Sequence, residues 1–341
     1  MVLNNQQAWR GSVGVSSYEG IVSPAYLILE LSNKFDPHYA NYLFRNGSMV
    51  SHYLIASKGV GTIQRNLYWG NLRRAPIFIP PLSEQQKIAQ FLDDKTAKID
   101  QAVDLAEKQI ALLKEHKQIL IQNAVIRGLN PDVPLKDSGV EWIGQVPEHW
   151  ELTIGMNVFR ENKRDNKGMK ENTVLSLSYG KIIIKPEEKL FGLVPESFET
   201  YQIVEPNDII IRCTDLQNDQ TSLRTGLAQD KGIITSAYLN LKVINNYSAK
   251  FLHYYLHALD ITKVLYKFGS GLRQNLSFLD FKRLPIIDIP LAEQQIADYL
   301  DAQIIKIDQA IALKTAHIEK LKEYKSVLIN DVVTGKVRVS V

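Results

Sequence analysis

The sequence predicts an α+β protein made of two repeated units. Each is a mixed α/β domain followed by a long helix, and the two helices form an antiparallel coiled coil. Three observations predict it. The stretch PLSEQQKIAQFLDDKTAKIDQA from Pro81 returns as PLAEQQIADYLDAQIIKIDQA from Pro290, and about fifty residues are written twice, the mark of a repeated architecture. Both copies carry a sustained 4,3 spacing of apolar residues. The segments before the helices recur as well: GIVSPAYLILEL (Gly20 to Leu31) parallels GIITSAYLNLKV (Gly232 to Val243), and KGVGTIQRNLYWGNLRRAPIFIPPL (Lys58 to Leu82) parallels KFGSGLRQNLSFLDFKRLPIIDIPL (Lys267 to Leu291).

The first helix carries its seam on Leu92, Thr96, Ile99, Val103, Ala106, Ile110, Leu113, Lys117, Leu120 and Ala124. The second carries it on Leu300, Ile304, Ile307, Ile311, Lys314, Ile318, Leu321, Lys325, Leu328 and Val332. A helix packed on a globular core would be shorter and less strictly periodic. Ser83 to Gln86 reads as a capping box behind Pro81, and Gly128 and Gly335 mark the far ends, so each helix runs about 44 residues, or ~66 Å. Lys117 and Lys325 occupy the same seam position. Either their stems lie along apolar surface with the ammonium in water, or they fix the register of the pair. Because a whole domain separates the helices, they are expected to pack antiparallel, with the domains related by a pseudo-twofold axis.

The first unit reads as incomplete. An offset of about 212 places Met1 opposite Cys213, and nothing matches roughly Asp137 to Arg212. Two units of 209 residues would need 418 against the 341 present, so about 77 residues of the first domain are expected to be missing. The domains expected are 1–81, the C-terminal part of the first; 82–131, helix and linker; 132–290, the complete second domain; and 291–341, the second helix. Within 132–290, alternation predicts strands at Thr173 to Leu177, Lys181 to Ile184, Asp208 to Arg212 and Ala237 to Val243, and a helix over Ser248 to Leu259.

Composition bounds the function loosely. With 45% hydrophobic and 23% charged residues the chain is ordinary globular material, and its net charge of +3 is compatible with a polyanionic partner. One cysteine, Cys213, excludes an internal disulfide framework and a cysteine-rich zinc site. No apolar run is long enough for a membrane span and the start MVLNNQQAWRG lacks a signal core, so no membrane partner and a cytoplasmic location are expected.

Polar residues gather in three connections. RENKRDNKGMK offers Lys163, Arg164, Lys167 and Lys170 for neutralising a nucleic-acid backbone. RCTDLQNDQTSLRTG offers Arg212, Gln217, Asn218 and Arg224, and GSGLRQN offers Arg273, Gln274 and Asn275. These are the side chains that read base edges, Arg on guanine and Asn or Gln on adenine. Gln64 and Asn66 repeat this last loop in the first unit. Each loop alone also reads as solvated surface.

Together these strings resemble the specificity subunit of type I restriction-modification enzymes. The similarity covers nearly the whole chain: DSGVEWIGQVPEHWE resembles that family's entry into a target recognition domain, and GSGLRQNLSFLDFKRLPIIDIPLAEQQ its exit into a conserved helix. The resemblance implies that each recognition domain binds half of a split double-stranded DNA sequence and that the paired helices fix the distance between the halves. It further implies that methyltransferase subunits dock on helices and domains, and that a motor-nuclease subunit joins through the complex. The chain departs from the family in the missing part of its first recognition domain. One half-site, read through Asp137 to Pro290, is therefore expected, with exposed strand edges that favour self-association.

A catalytic reading finds little support. There is no GxxxxGK[ST] loop, no NPP[FY] or DPP[FY], and no glycine-rich cofactor loop after a strand. His253 and His257 stand at i and i+4, but Tyr254 takes the place of the glutamate of HExxH, so no metal and no cofactor are expected. The function expected is a non-catalytic DNA-recognition and scaffold subunit; the alternative is a structural remnant that binds methyltransferase subunits without directing them to DNA.

Overall fold

Two long helices dominate a computed structural model of the chain, Leu82–Arg127 of 46 residues and Ile296–Val333 of 38. The described residues are 1–60, 64–186, 188, 197–214, 223–268 and 275–339. Contacts divide them into one unit of Met1–Ala111 with Ala310–Val341 and a second of Leu112–Gln309, so both helices contribute to both units.

The glycines end both helices. Gly128 and Gly335 each adopt φ +76°, where a side chain would be strained, and each donates its N–H into the last turn, to Ala124 and Val332. The starts differ from expectation. The first helix begins at Leu82 with Glu84 and Gln85 donating to the Pro81 carbonyl, which puts Ser83 inside the first turn rather than at the capping position. The second opens with a 3-10 turn over Leu291–Gln295. Ile99, Ala106, Ile307 and Ile318 are buried; Val103, Ile110, Leu113, Ile311 and Leu321 are half-buried; Leu105, Leu112, Ile305 and Leu313, apolar but off the expected seam, are exposed. Within the first unit Asp100 meets Lys325 at 2.6 Å and Gln109 meets Lys314 at 2.6 Å. Within the second, Lys117 meets Asp308 at 2.7 Å.

The first unit carries a three-stranded antiparallel sheet, with Val2–Asn4 between Val13–Gly14 and Tyr26–Ile28. The helices Pro37–Arg45 and Gly47–Ala56 pack on it, and Leu3, Phe44, Met49, Tyr53 and Leu72 share its core. Asp36 caps the first of these helices, accepting from the His38 and Tyr39 N–H groups at 3.0 Å. A hairpin, Ser57–Val60 with Gln64–Leu67, follows.

In the second unit a four-stranded antiparallel sheet has the order Thr225–Leu227, Ile209–Ile211, Leu239–Val243, Phe159–Glu161. Ile209, Ile210 and Ile211 are all buried, as a central strand covered on both faces requires. A second core joins Leu175–Ser178, Lys181–Ile184 and their neighbours around Val204 and Ile234. The helix Ala249–Ile261 runs two residues past its expected end, and Asp260 in the added stretch is buried.

The two units repeat several hydrogen bonds. Gln85 accepts from the N–H of Asp36 at 2.8 Å, and Gln294 accepts from the N–H of Ser248, each the capping residue of its unit's helix. Tyr42 donates to Asp93 at 2.7 Å, and Tyr254 donates to Asp301 at 2.6 Å. These residues stand at matched places in the sequence repeat.

Candidate nucleic-acid interface

The candidate base-reading segments meet at one end of the strand Ile209–Ile211. Arg212 donates its N–H to the Arg224 carbonyl at 2.9 Å, and Leu276 donates to the Cys213 carbonyl at 3.0 Å, so Arg212 to Thr214, Arg224 and Asn275 lie side by side. Sequence distance is closed here by ladder hydrogen bonds. Asn275 is exposed and Arg212 half-buried. Gln217, Asn218, Arg273 and Gln274 lie outside the described residues, as does the side chain of Gln64. Asn66, exposed on the first unit's hairpin, pairs across it with Lys58.

Arg224 corrects the expectation. It is fully buried, and its guanidinium donates to the Thr214 carbonyl at 2.8 Å, the Arg212 carbonyl at 3.3 Å and the Tyr266 hydroxyl at 3.2 Å. Its own N–H donates to buried Asp260 at 2.6 Å. A guanidinium spent on backbone carbonyls cannot also reach a base edge, so Arg224 props the loop from beneath. Asp260 and Tyr266, which complete this knot, escaped the sequence reading. A lone carboxylate inside the apolar helix stretch HALDI was the available signal, since a buried charge demands partners.

The cationic loop lies at the other end of the same strand. Buried Asn166 shapes it, donating to the carbonyls of Glu171 at 2.9 Å and Phe198 at 3.2 Å and accepting from the Glu171 N–H at 3.0 Å. Lys167 and Lys170 are exposed, with no ion pair among the described residues, and Lys163 is exposed beside Glu161 at 3.1 Å. Arg164 departs from this group. Its guanidinium is clamped by Glu205 and Asp208, which cancels the charge a phosphate would need. Burial raises the Asp208 carboxyl, with the Glu205 N–H and Arg164 opposing.

Other reactive groups are sealed. Among the described residues His253 Nε2 and His257 Nδ1 have no hydrogen-bond partner, and both atoms are buried; burial lowers the two rings to about 4 and about 3, with the charges of His253 and Lys117 adding to the second. Burial pushes the Cys213 thiol up to about 12. Among the described residues no group of three His, Cys, Asp or Glu side chains could hold a metal ion, and no helix is long and apolar enough to cross a membrane.

Residues 7–114 match the family described as the type I restriction modification DNA specificity domain. The chain is 26% identical over 344 residues to the type I restriction enzyme MjaX specificity subunit of Methanocaldococcus jannaschii, covering 95% of this chain and 75% of that protein. It is 24% identical to the MjaVIII specificity subunit of the same organism, over 94% of this chain and 75% of the relative. In fold it is similar to a chain from a solved type I R-M system studied for complex assembly and conformational transition, with a TM-score of 0.67 and 17% identity, over 92% of this chain and 75% of the other. It is also similar to the HsdS subunit of Thermoanaerobacter tengcongensis, with a TM-score of 0.51 and 18% identity, over 89% and 71%. The chain is thus similar along nearly its whole length to type I restriction enzyme specificity subunits, and residues 7–114 match their DNA specificity domain.

Proposed function

We propose that the chain is a non-catalytic subunit that recognises a DNA sequence and scaffolds the methyltransferase and motor-nuclease subunits of a type I restriction-modification complex. The carrying observation is the convergence of Arg212, Thr214 and Asn275 on one surface of the second unit, in a chain similar to specificity subunits along 95% of its length. Arg212 and Asn275 read bases, and Lys163, Lys167 and Lys170 meet phosphates, while Arg224 and Arg164 are structural. Gln217, Asn218, Arg273, Gln274, Gln64 and Asn66 remain base-reading candidates by residue type.

The two long helices are read as an antiparallel coiled coil that spaces two repeated units. Falling residue number against rising in the pairs Asp100 with Lys325 and Gln109 with Lys314 supports it, as do the buried or half-buried seam positions beside exposed off-seam Leu105, Leu112, Ile305 and Leu313. The domain bounds 1–81, 82–131, 132–290 and 291–341 belong to the same reading.

The test is a gel-shift selection of the chain with its methyltransferase subunit against random duplexes. Enrichment of one sequence is the expected result. Retention of the subunit with no enrichment would favour a scaffold without DNA recognition.

A further inference from the structure

In the second unit one continuous segment, Pro147 to Glu161, closes the domain at three places. At its start, buried Trp150 donates its indole N–H to Glu293 at 2.9 Å and lies against Gly128, where an added Cβ would come within 3.3 Å of the ring. Next, Glu151–Ile154 pairs antiparallel with Pro285–Asp288. Finally, the buried pair Val158 and Phe159 enters the core, Phe159 stacking edge-on against Phe281 at 5.5 Å while Phe159–Glu161 pairs with Leu241–Val243.

The first unit has the matching half of each contact without the segment. Glu84 matches Glu293 and is exposed, its carboxylate without a hydrogen bond among the described residues. Gly335 ends its helix as Gly128 does, with nothing among the described residues within 4 Å of an added Cβ. Pro76 to Ile79 matches Pro285–Asp288 but pairs with no strand among the described residues, leaving Ile77, Phe78 and Ile79 36%, 89% and 43% exposed, whereas Ile286 and Ile287 are buried. Tyr26–Ile28, the match of the strand that Phe159–Glu161 continues, is an edge strand. Between these edges lies an apolar cavity of about 430 Å³ lined by Leu29, Leu31, Phe35, Leu72, Ala75 and Ile77. The matches of all six, Leu241, Val243, Tyr247, Phe281, Leu284 and Ile286, belong to the core that encloses Val158 and Phe159.

We propose that this groove of the first unit is a docking site for an extended segment with the chemistry of Pro147 to Glu161. An open strand edge offers backbone hydrogen bonds, while pockets for alternate side chains select the sequence. The docked segment carries a tryptophan that seats on Gly335 and donates to Glu84, a short strand along Pro76 to Ile79, and an apolar pair that fills the cavity. Between strand and pair it carries a glycine, because a Cβ at Gly155 would sit 2.5 Å from the Phe281 carbonyl, the match of the Leu72 carbonyl. The inference stands on the repeat alone and is independent of DNA recognition.

The test uses the full chain and a fluorescent peptide of residues 145–162 of this sequence. Saturable one-to-one binding is expected, weakened about tenfold or more by Trp150→Ala or Phe159→Ala in the peptide. The exposed substitutions Phe78→Asp and Glu84→Gln in the chain should weaken it likewise, with circular dichroism unchanged. Absence of saturable binding to the unaltered chain, or binding indifferent to all four changes, would overturn the proposal. So would a chain dimer by light scattering that Phe78→Asp separates and the peptide does not, since the occupant would then be a second copy.

Discussion

Gln85 holds Asp36: its side-chain carbonyl accepts the Asp36 N–H at 2.8 Å, while its amide donates to the carbonyls of Lys34 at 2.9 Å and Pro80 at 2.8 Å. The residue is fully buried, so nothing else can satisfy these groups. It fastens the capped helix Pro37–Arg45 to the start of the long helix, as Gln294 does for Ser248.

Replacing Gln85 by Leu strands three backbone groups. The expected cost is about 3 kcal/mol, since each buried unsatisfied group costs on the order of 1 to 3 kcal/mol and relaxation recovers part. Thermal unfolding measures it. Gln86→Leu, at an exposed neighbour, should change stability by less than about 0.5 kcal/mol.

The ion pairs between the helices should matter more for register than for stability. Asp308 is 40% and Asp100 60% exposed, so single alanine changes are expected to cost under about 1 kcal/mol. Lys117→Glu should destabilise the chain, and Asp308→Lys in the same chain should restore it. Denaturant unfolding of the four-member cycle reads the coupling.

Acid should unfold the second unit earlier than surface charge alone would. His253 and His257 titrate lower in the folded chain, at about 4 and about 3, than the ordinary 6.5, so the unfolded chain takes up more protons as pH falls through that window. Stability is therefore full above about 6.5 and is lost towards pH 4, by roughly 2 to 3 kcal/mol for His253. The double variant His253→Leu, His257→Phe should flatten the pH dependence of unfolding between pH 6.5 and 4.5.

The residues proposed to meet phosphates and those proposed to read bases should separate by assay. Lys167→Gln and Lys170→Gln should weaken binding to all duplexes alike and lower the salt slope by about 1 each. Asn275→Ala should alter which sequence is preferred. Arg224→Gln should lower the melting temperature first, because it uncovers the Thr214 and Arg212 carbonyls.

The long elements were legible because their pattern is redundant. Ten seam positions and a terminal glycine mark each helix, and Lys181–Ile184 is the expected strand to the residue. The starts were less legible: Ser83 lies within the first turn because the helix is held from Pro81, a choice the capping pattern alone does not reveal. Of the candidate site, the gathering of Arg212 and Asn275 depends on the ladder between Cys213 and Leu276, which no local periodicity encodes. The burial of Arg224 and the neutralisation of Arg164 depend on Asp260, Glu205 and Asp208, which sit 36, 41 and 44 residues away in sequence. Charge type was readable, but whether a charge is spent internally was not.

The central claim, that the second unit reads DNA through the surface where Arg212, Thr214 and Asn275 meet, is tested most directly by sequence selection from random duplexes. The chain with its methyltransferase subunit is compared with its Asn275→Ala form. The account predicts one enriched motif for the unaltered chain and a changed preference at one position for the variant, with melting unchanged. An identical motif from both, or no enriched motif from either, would contradict it.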